Sequence, residues 1–129
     1  MLLSRIILFI QGAMGVIYSA MLLIDPAGLA AYMGLSALSG DGQAELFAMY
    51  VGMSSGVGIL MLYVSFTRRH LAEATFCLAV IISAIALARL SGLLVYETGS
   101  YTLSALAYDV PMSFVAWWAV RRNRLLGES

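Results

Sequence analysis

Residues 76–94, FCLAVIISAIALARLSGLL, are uncharged but for Arg89. As an α-helix this run of nineteen residues is ~28 Å long, close to the ~30 Å hydrocarbon core of a bilayer. A charge at such depth costs a few kcal/mol or more unless it is paired or wetted. The rest of the chain must therefore supply Arg89 with partners.

Composition excludes a soluble alternative. The 129 residues are 62% hydrophobic and 11% charged, whereas soluble domains carry about 25% charged residues. So few polar residues cannot coat a globular core. The chain reads as all-α, one domain over residues 1–129, an up-down bundle of four transmembrane helices over about 6–24, 46–66, 76–94 and 103–120. The signal-peptide reading of the first segment fails on length, because its apolar run exceeds the ~7–15 residues of a signal core. All seven basic residues are arginines, too few and too scattered for nucleic acid. Cys77 is the sole cysteine; it excludes an intrachain disulfide and a Cys-only metal site, and reads as a small buried hydrophobe.

Asp25-Pro26 ends the first segment and has the form of a helix start, an N-cap followed by Pro at the first position. A short interfacial helix is expected there. Residues 35–43, with Gly40 and Gly42, read as a linker. The second segment opens behind Glu45, where a carboxylate suits the positive helix end. It contains Gly52 and Gly56, a GxxxG spacing, and the same interval recurs at Ser54 and Gly58. Small residues four apart let membrane helices approach closely, within this bundle or against another copy. Residues 67–75 read as a polar turn holding His70, the only histidine, facing solvent or headgroups. No second His or Cys completes a metal site around it.

Six of the seven arginines (Arg5, Arg68, Arg69, Arg121, Arg122 and Arg124) fall on one side of a four-span topology with both termini together. The positive-inside rule makes that side cytoplasmic. Asp25, Asp41, Glu45 and Glu97 then lie outside. Trp117 and Trp118 precede the arginine tail, as an interfacial aromatic belt does.

Two charges remain within spans, Arg89 and Asp109. Counted from the outer ends of their segments, their depths agree to within about one helical turn, and they are expected to pair. Tyr18, Ser19, Tyr50 and Tyr108 reach the same level, while Gln11 lies nearer the cytoplasmic side. Pro111 frees the carbonyl of Ala107, a further acceptor for Arg89. The pair has a functional reading, since intramembrane ionisable residues lean that way. It also has a structural one, a buried polar contact that fixes helix register. No Walker loop, GxSxG elbow, HExxH or Cys-X-X-Cys is present in the sequence. An enzyme would need Asp109 or Glu45 as acid or base with a cofactor that no motif identifies.

The chain resembles a family of small four-helix bacterial inner-membrane proteins classed as a domain of unknown function, and more distantly the DoxX-like group. The resemblance runs from about Ile6 to Trp118. It rests on Glu45, Tyr50, Gly52 and Gly56 in helix two, Ala88-Arg89 in helix three and Asp109 in helix four. The chain departs from that pattern with Val51-Gly52 where paired glycines occur, and with Asp where Glu is commoner. The shorter carboxylate must then come closer to Arg89 or bridge through water. The resemblance implies the bacterial inner membrane and supplies no reaction.

Two functions follow as expectations. One is an outward-facing polar pocket of Arg89, Asp109, Glu45, Tyr50, Tyr18 and Tyr108 that binds a lipid headgroup, a quinone-like molecule or a small anion, alone or as an accessory subunit. The other is an assembly module whose Gly52 and Gly56 face meets a copy of itself or a larger membrane complex.

Overall fold

The computed structural model describes residues 1–34, 47–95 and 100–125. Every element among them is a helix: α1 (Leu2–Ile24), α2 (Pro26–Tyr32), α3 (Phe47–Thr67), α4 (Leu71–Val95) and α5 (Ser100–Leu125). Four of these, all but α2, are long and apolar enough to cross a membrane. Their outer surface carries large bare side chains such as Ile17, Leu60, Tyr63, Leu87 and Phe114, and Cys77, expected to be buried, is exposed there as well because it lies on the same face of α4 as the bare apolar residues. In water such a surface would aggregate. In a bilayer it matches its solvent, and helices satisfy their own backbone polar groups. The protein is an all-α membrane protein.

Asp25 ends α1 and starts α2. Its Oδ1 accepts from the Gly28 N–H at 3.0 Å, with Pro26 at the first helical position. The short helix expected from Asp-Pro is therefore present. α3 departs from expectation. Its first seven residues, Phe47–Met53, are π-helical, and regular α geometry begins at Ser54. Such a stretch holds a residue more than α winding needs and disturbs the carbonyl ladder. Serine hydroxyls cover the gap. Ser19 shares its proton between the Gly15 carbonyl of its own helix at 2.8 Å and the Tyr50 carbonyl at 3.1 Å, and Ser55 shares its own between the carbonyls of Val51 and Gly52.

The polar turn is tighter than its sequence suggests. It occupies 68–70, and Leu71 to Thr75 already belong to α4. Arg68 and His70 take left-handed backbone angles (φ 59° and 56°) without glycine. His70 is exposed, 3.7 Å from Glu73.

The helices pair as α1 with α3 and α4 with α5. Glycine brings the first pair together. A Cβ placed at Gly58 would lie 2.8 Å from the Gly12 carbonyl oxygen, and one at Gly15 would lie 2.9 Å from that of Ser54. Ser54 and Gly58 thus serve the close approach. For Gly52 and Gly56, no atom of the described residues beyond their own helix backbone and chain neighbours lies within 4 Å of an added Cβ, so their interval is not used for packing there.

One end of the bundle is knitted shut. Arg5 Nε donates to the Ser65 carbonyl at 3.0 Å, and Ser65 Oγ donates to the Arg5 carbonyl at 3.1 Å. Asn123 Nδ2 donates to Ser4 Oγ at 2.9 Å, and Arg124 stacks over Phe76. This arginine end also holds most of the core: Ile7, Leu8, Met61, Val64, Leu71, Leu78, Ile82 and Ala119. The other end is where the charged pair and the tyrosines meet.

Candidate functional site

Arg89 lies near the end of α4 and Asp109 near the start of α5. The two helices are antiparallel neighbours, so residues at matched depth face one another. Arg89 Nε is 3.2 Å from Asp109 Oδ2. The contact is direct, without the water bridge that the short carboxylate could have required. It is an ion pair by distance but not a well-aligned hydrogen bond, for the buried Oδ2 has no hydrogen-bond partner. The side chains are 28% and 14% exposed. The guanidinium also lies 5.7 Å from the centre of the Tyr101 ring, a cation–π distance. Among the described residues its contacts are with Asp109 and Tyr101, and the Ala107 carbonyl is not one of them.

Tyr101 anchors a second layer. Its hydroxyl and that of Tyr18 are 3.1 Å apart, and Tyr18 donates onward to Met33 Sδ at 3.0 Å. With one proton per hydroxyl, Tyr101 is then the donor to Tyr18. Tyr32, the last residue of α2, meets the Tyr101 ring edge-on with centroids 5.3 Å apart. The short helix is thereby tied over the end of the bundle.

These groups line an open cleft of about 870 Å³ between the two helix pairs, within the ~300–1,000 Å³ range of ligand sites. Tyr18, Tyr32, Tyr50, Tyr101 and Tyr108 line it with Arg89 and Asp109. Five of the chain's seven tyrosines thus surround one charged pair. Sequence reading singled out Tyr18, Tyr50 and Tyr108 at this level, and all three line the cavity. It missed Tyr32, which lies in the short helix expected after Pro26, and Tyr101, which falls before the expected start of the fourth span at 103 and is in fact in the first turn of α5. The usable signal was the excess of tyrosines at one end of a four-span topology. Glu45 lies outside the described residues.

Tyr108 faces two ways. It lines the chamber, and its hydroxyl donates to Gln11 Oε1. Gln11, expected apart from the other polar groups, is therefore joined to them. Both residues also line an adjoining space of about 270 Å³, otherwise mostly apolar, bounded by Met61, Leu78 and Ile82.

The arrangement offers a part-exposed cation, a carboxylate beside it, and a ring of tyrosine hydroxyls, of which those of Tyr18, Tyr101 and Tyr108 already donate within the protein and keep their oxygens as acceptors. Among the described residues no group of three or more His, Cys, Asp or Glu could hold a metal ion. No curated protein and no solved structure matches the chain. A family model described as a domain of unknown function, DUF4345, matches residues 3–120, which spans every helix that lines the chamber. The protein therefore belongs to the DUF4345 family, a membrane-spanning helical member with its polar residues gathered at one end of the bundle.

Proposed function

We propose that the chamber binds a lipid-like or small anionic molecule, with the protein acting alone or as an accessory subunit. In this reading the arginine end is cytoplasmic and the chamber opens toward the outer face of the bacterial inner membrane. The arginine distribution supports the orientation.

The observation that carries the proposal is the state of the ion pair. A staple that serves only register is best sealed and fully hydrogen-bonded, because a half-satisfied buried pair is poor for stability. Arg89 is instead 28% exposed beside a cavity, and Asp109 Oδ2 lacks a hydrogen bond. Native mass spectrometry of the detergent-purified protein tests this. The wild type is expected to retain a small molecule that Arg89→Ala loses while remaining folded. An empty wild type, or one whose bound molecule survives the substitution, refutes it.

A second reading rests on Gly52 and Gly56, which meet no described atom of their own chain. They suit close approach of another membrane helix, and the protein is then an assembly module. Gly52→Ile or Gly56→Ile is expected to change oligomer size and spare the chamber. An unaltered oligomer excludes that face as the interface.

A further inference from the structure

The smaller apolar space adjoins the charged chamber and shares walls with it. Met14, Tyr18, Met53, Ser54, Ile85 and Tyr108 line both. It descends from Tyr18 to Gln11 on α1 and from Ile85 to Leu78 on α4. Seven residues on each helix correspond to about 10 Å of depth. Met53 on α3 and Ile81 on α4 both line it and are both exposed, so the groove is not sealed by the core. The groove therefore opens sideways, in the seam between the helix pairs.

We infer that the site takes a single-chain amphiphile with a neutral, hydroxyl-bearing head, its head in the chamber and its hydrocarbon chain in the groove. The inference rests on the chamber being a binding site and assigns its ligand class. Arg89 and Asp109 cancel in charge among the described residues, so a free anion must compete with Asp109 for the guanidinium. A hydroxyl head avoids that competition. It donates to the part of the Asp109 carboxylate that lines the chamber and accepts from the guanidinium or a tyrosine hydroxyl. The chain gains little from leaving lipid for an equally apolar groove. Its contribution is orientation, and the polar contacts supply selectivity.

The probe is a monoacylglycerol with a diazirine near the end of its acyl chain, added to the protein in phosphatidylcholine nanodiscs. Irradiation followed by peptide mass spectrometry locates the chain. Labelling is expected at Met61, Leu78 and Ile82. Ile81→Trp, which fills the groove from its lipid-exposed edge, is expected to reduce it at least tenfold, and Ile81→Ala to preserve it. Ile81→Phe replaces the tryptophan variant if that one lacks a cooperative melt. Excess inorganic phosphate is not expected to compete. Labelling spread over lipid-facing positions such as Leu60 and Phe66, and indifferent to the Ile81 variants, overturns the chain assignment. Competition by phosphate overturns the neutral head. Either can occur while Arg89→Ala still strips a bound molecule, in which case the chamber reading survives and only the ligand class falls. Groove labelling that survives Arg89→Ala removes the polar chamber from the ligand's binding.

Discussion

Gly56 and Gly58 lie two residues apart on one helix and offer a controlled comparison. A methyl at Gly58 would sit 2.8 Å from the Gly12 carbonyl oxygen and 3.1 Å from the Val16 amide nitrogen. Both are backbone atoms and cannot rotate away. Ordinary contact lies beyond 3.4 Å, so α1 and α3 must part by roughly half an ångström. A gap of that order forfeits about a quarter of each facing dispersion contact along the interface. Overpacking of this kind costs about 1–3 kcal/mol. Against it stands the helix preference for Ala over Gly, about 0.8–1 kcal/mol. Gly58→Ala should therefore be neutral to destabilising by about 2 kcal/mol. Gly56→Ala carries the same preference and meets no described atom within 4 Å, so it should stabilise by about 0.8 kcal/mol. The quantity to measure is the difference between the two, 1–3 kcal/mol on that bookkeeping. Reversible unfolding by denaturing detergent, followed through Trp117 and Trp118 fluorescence, provides it. Variants agreeing to within about 0.3 kcal/mol, the scatter of independent sites, would refute the close approach as the force-bearing contact.

Three further outcomes are expected. In a double-mutant cycle Arg89→Leu and Asp109→Leu should each destabilise by about 1–2 kcal/mol, less than in a sealed buried pair because Arg89 is 28% exposed, with a coupling of about 1 kcal/mol between them; additive losses would deny the pairing. Ser19→Ala removes the hydroxyl that reaches the Tyr50 carbonyl and should cost about 1 kcal/mol, with faster amide exchange in 50–55; unchanged exchange would separate Ser19 from the π-helical stretch. His70→Gly relieves a left-handed backbone and should raise stability by up to about 1 kcal/mol, read as a higher unfolding midpoint; a lower one would show that the turn depends on the His70 side chain.

The four spans, the short helix at Asp25-Pro26 and the pairing of Arg89 with Asp109 were legible because each follows from a strong local rule. Apolar length sets the spans, capping chemistry sets α2, and the cost of intramembrane charge joins the pair. The π-helical start of α3 was not legible, since nothing in Phe47–Met53 distinguishes one extra residue per turn from ordinary winding. The choice among glycines was also hidden. Gly52 and Gly56 carry the more familiar spacing, but which face of α3 meets α1 depends on how the two helices are rotated about their axes. Tyr32 and Tyr101 were missed for a related reason. They lie at element ends, where a shift of two residues decides between a surface turn and a cavity wall.

The uneven core has a mechanical consequence. With Leu8, Val64, Leu78 and Ala119 packed at the arginine end and the cavity at the other, the bundle behaves as a clamp with its spring at one end. Small rotations about the arginine end become the largest displacements at Tyr18, Tyr50 and Tyr101. Opening there disturbs a smaller set of buried apolar side chains, Leu22, Ala86 and Leu106, than the arginine end holds, so it draws on the softer part of the free-energy surface. Filling the chamber would stiffen the compliant half and leave the spring as it was. Amide exchange should then slow around Ile17–Leu22, Ala86–Leu90 and Tyr101–Leu106 while Ile7–Leu8 and Ala116–Val120 keep their rates.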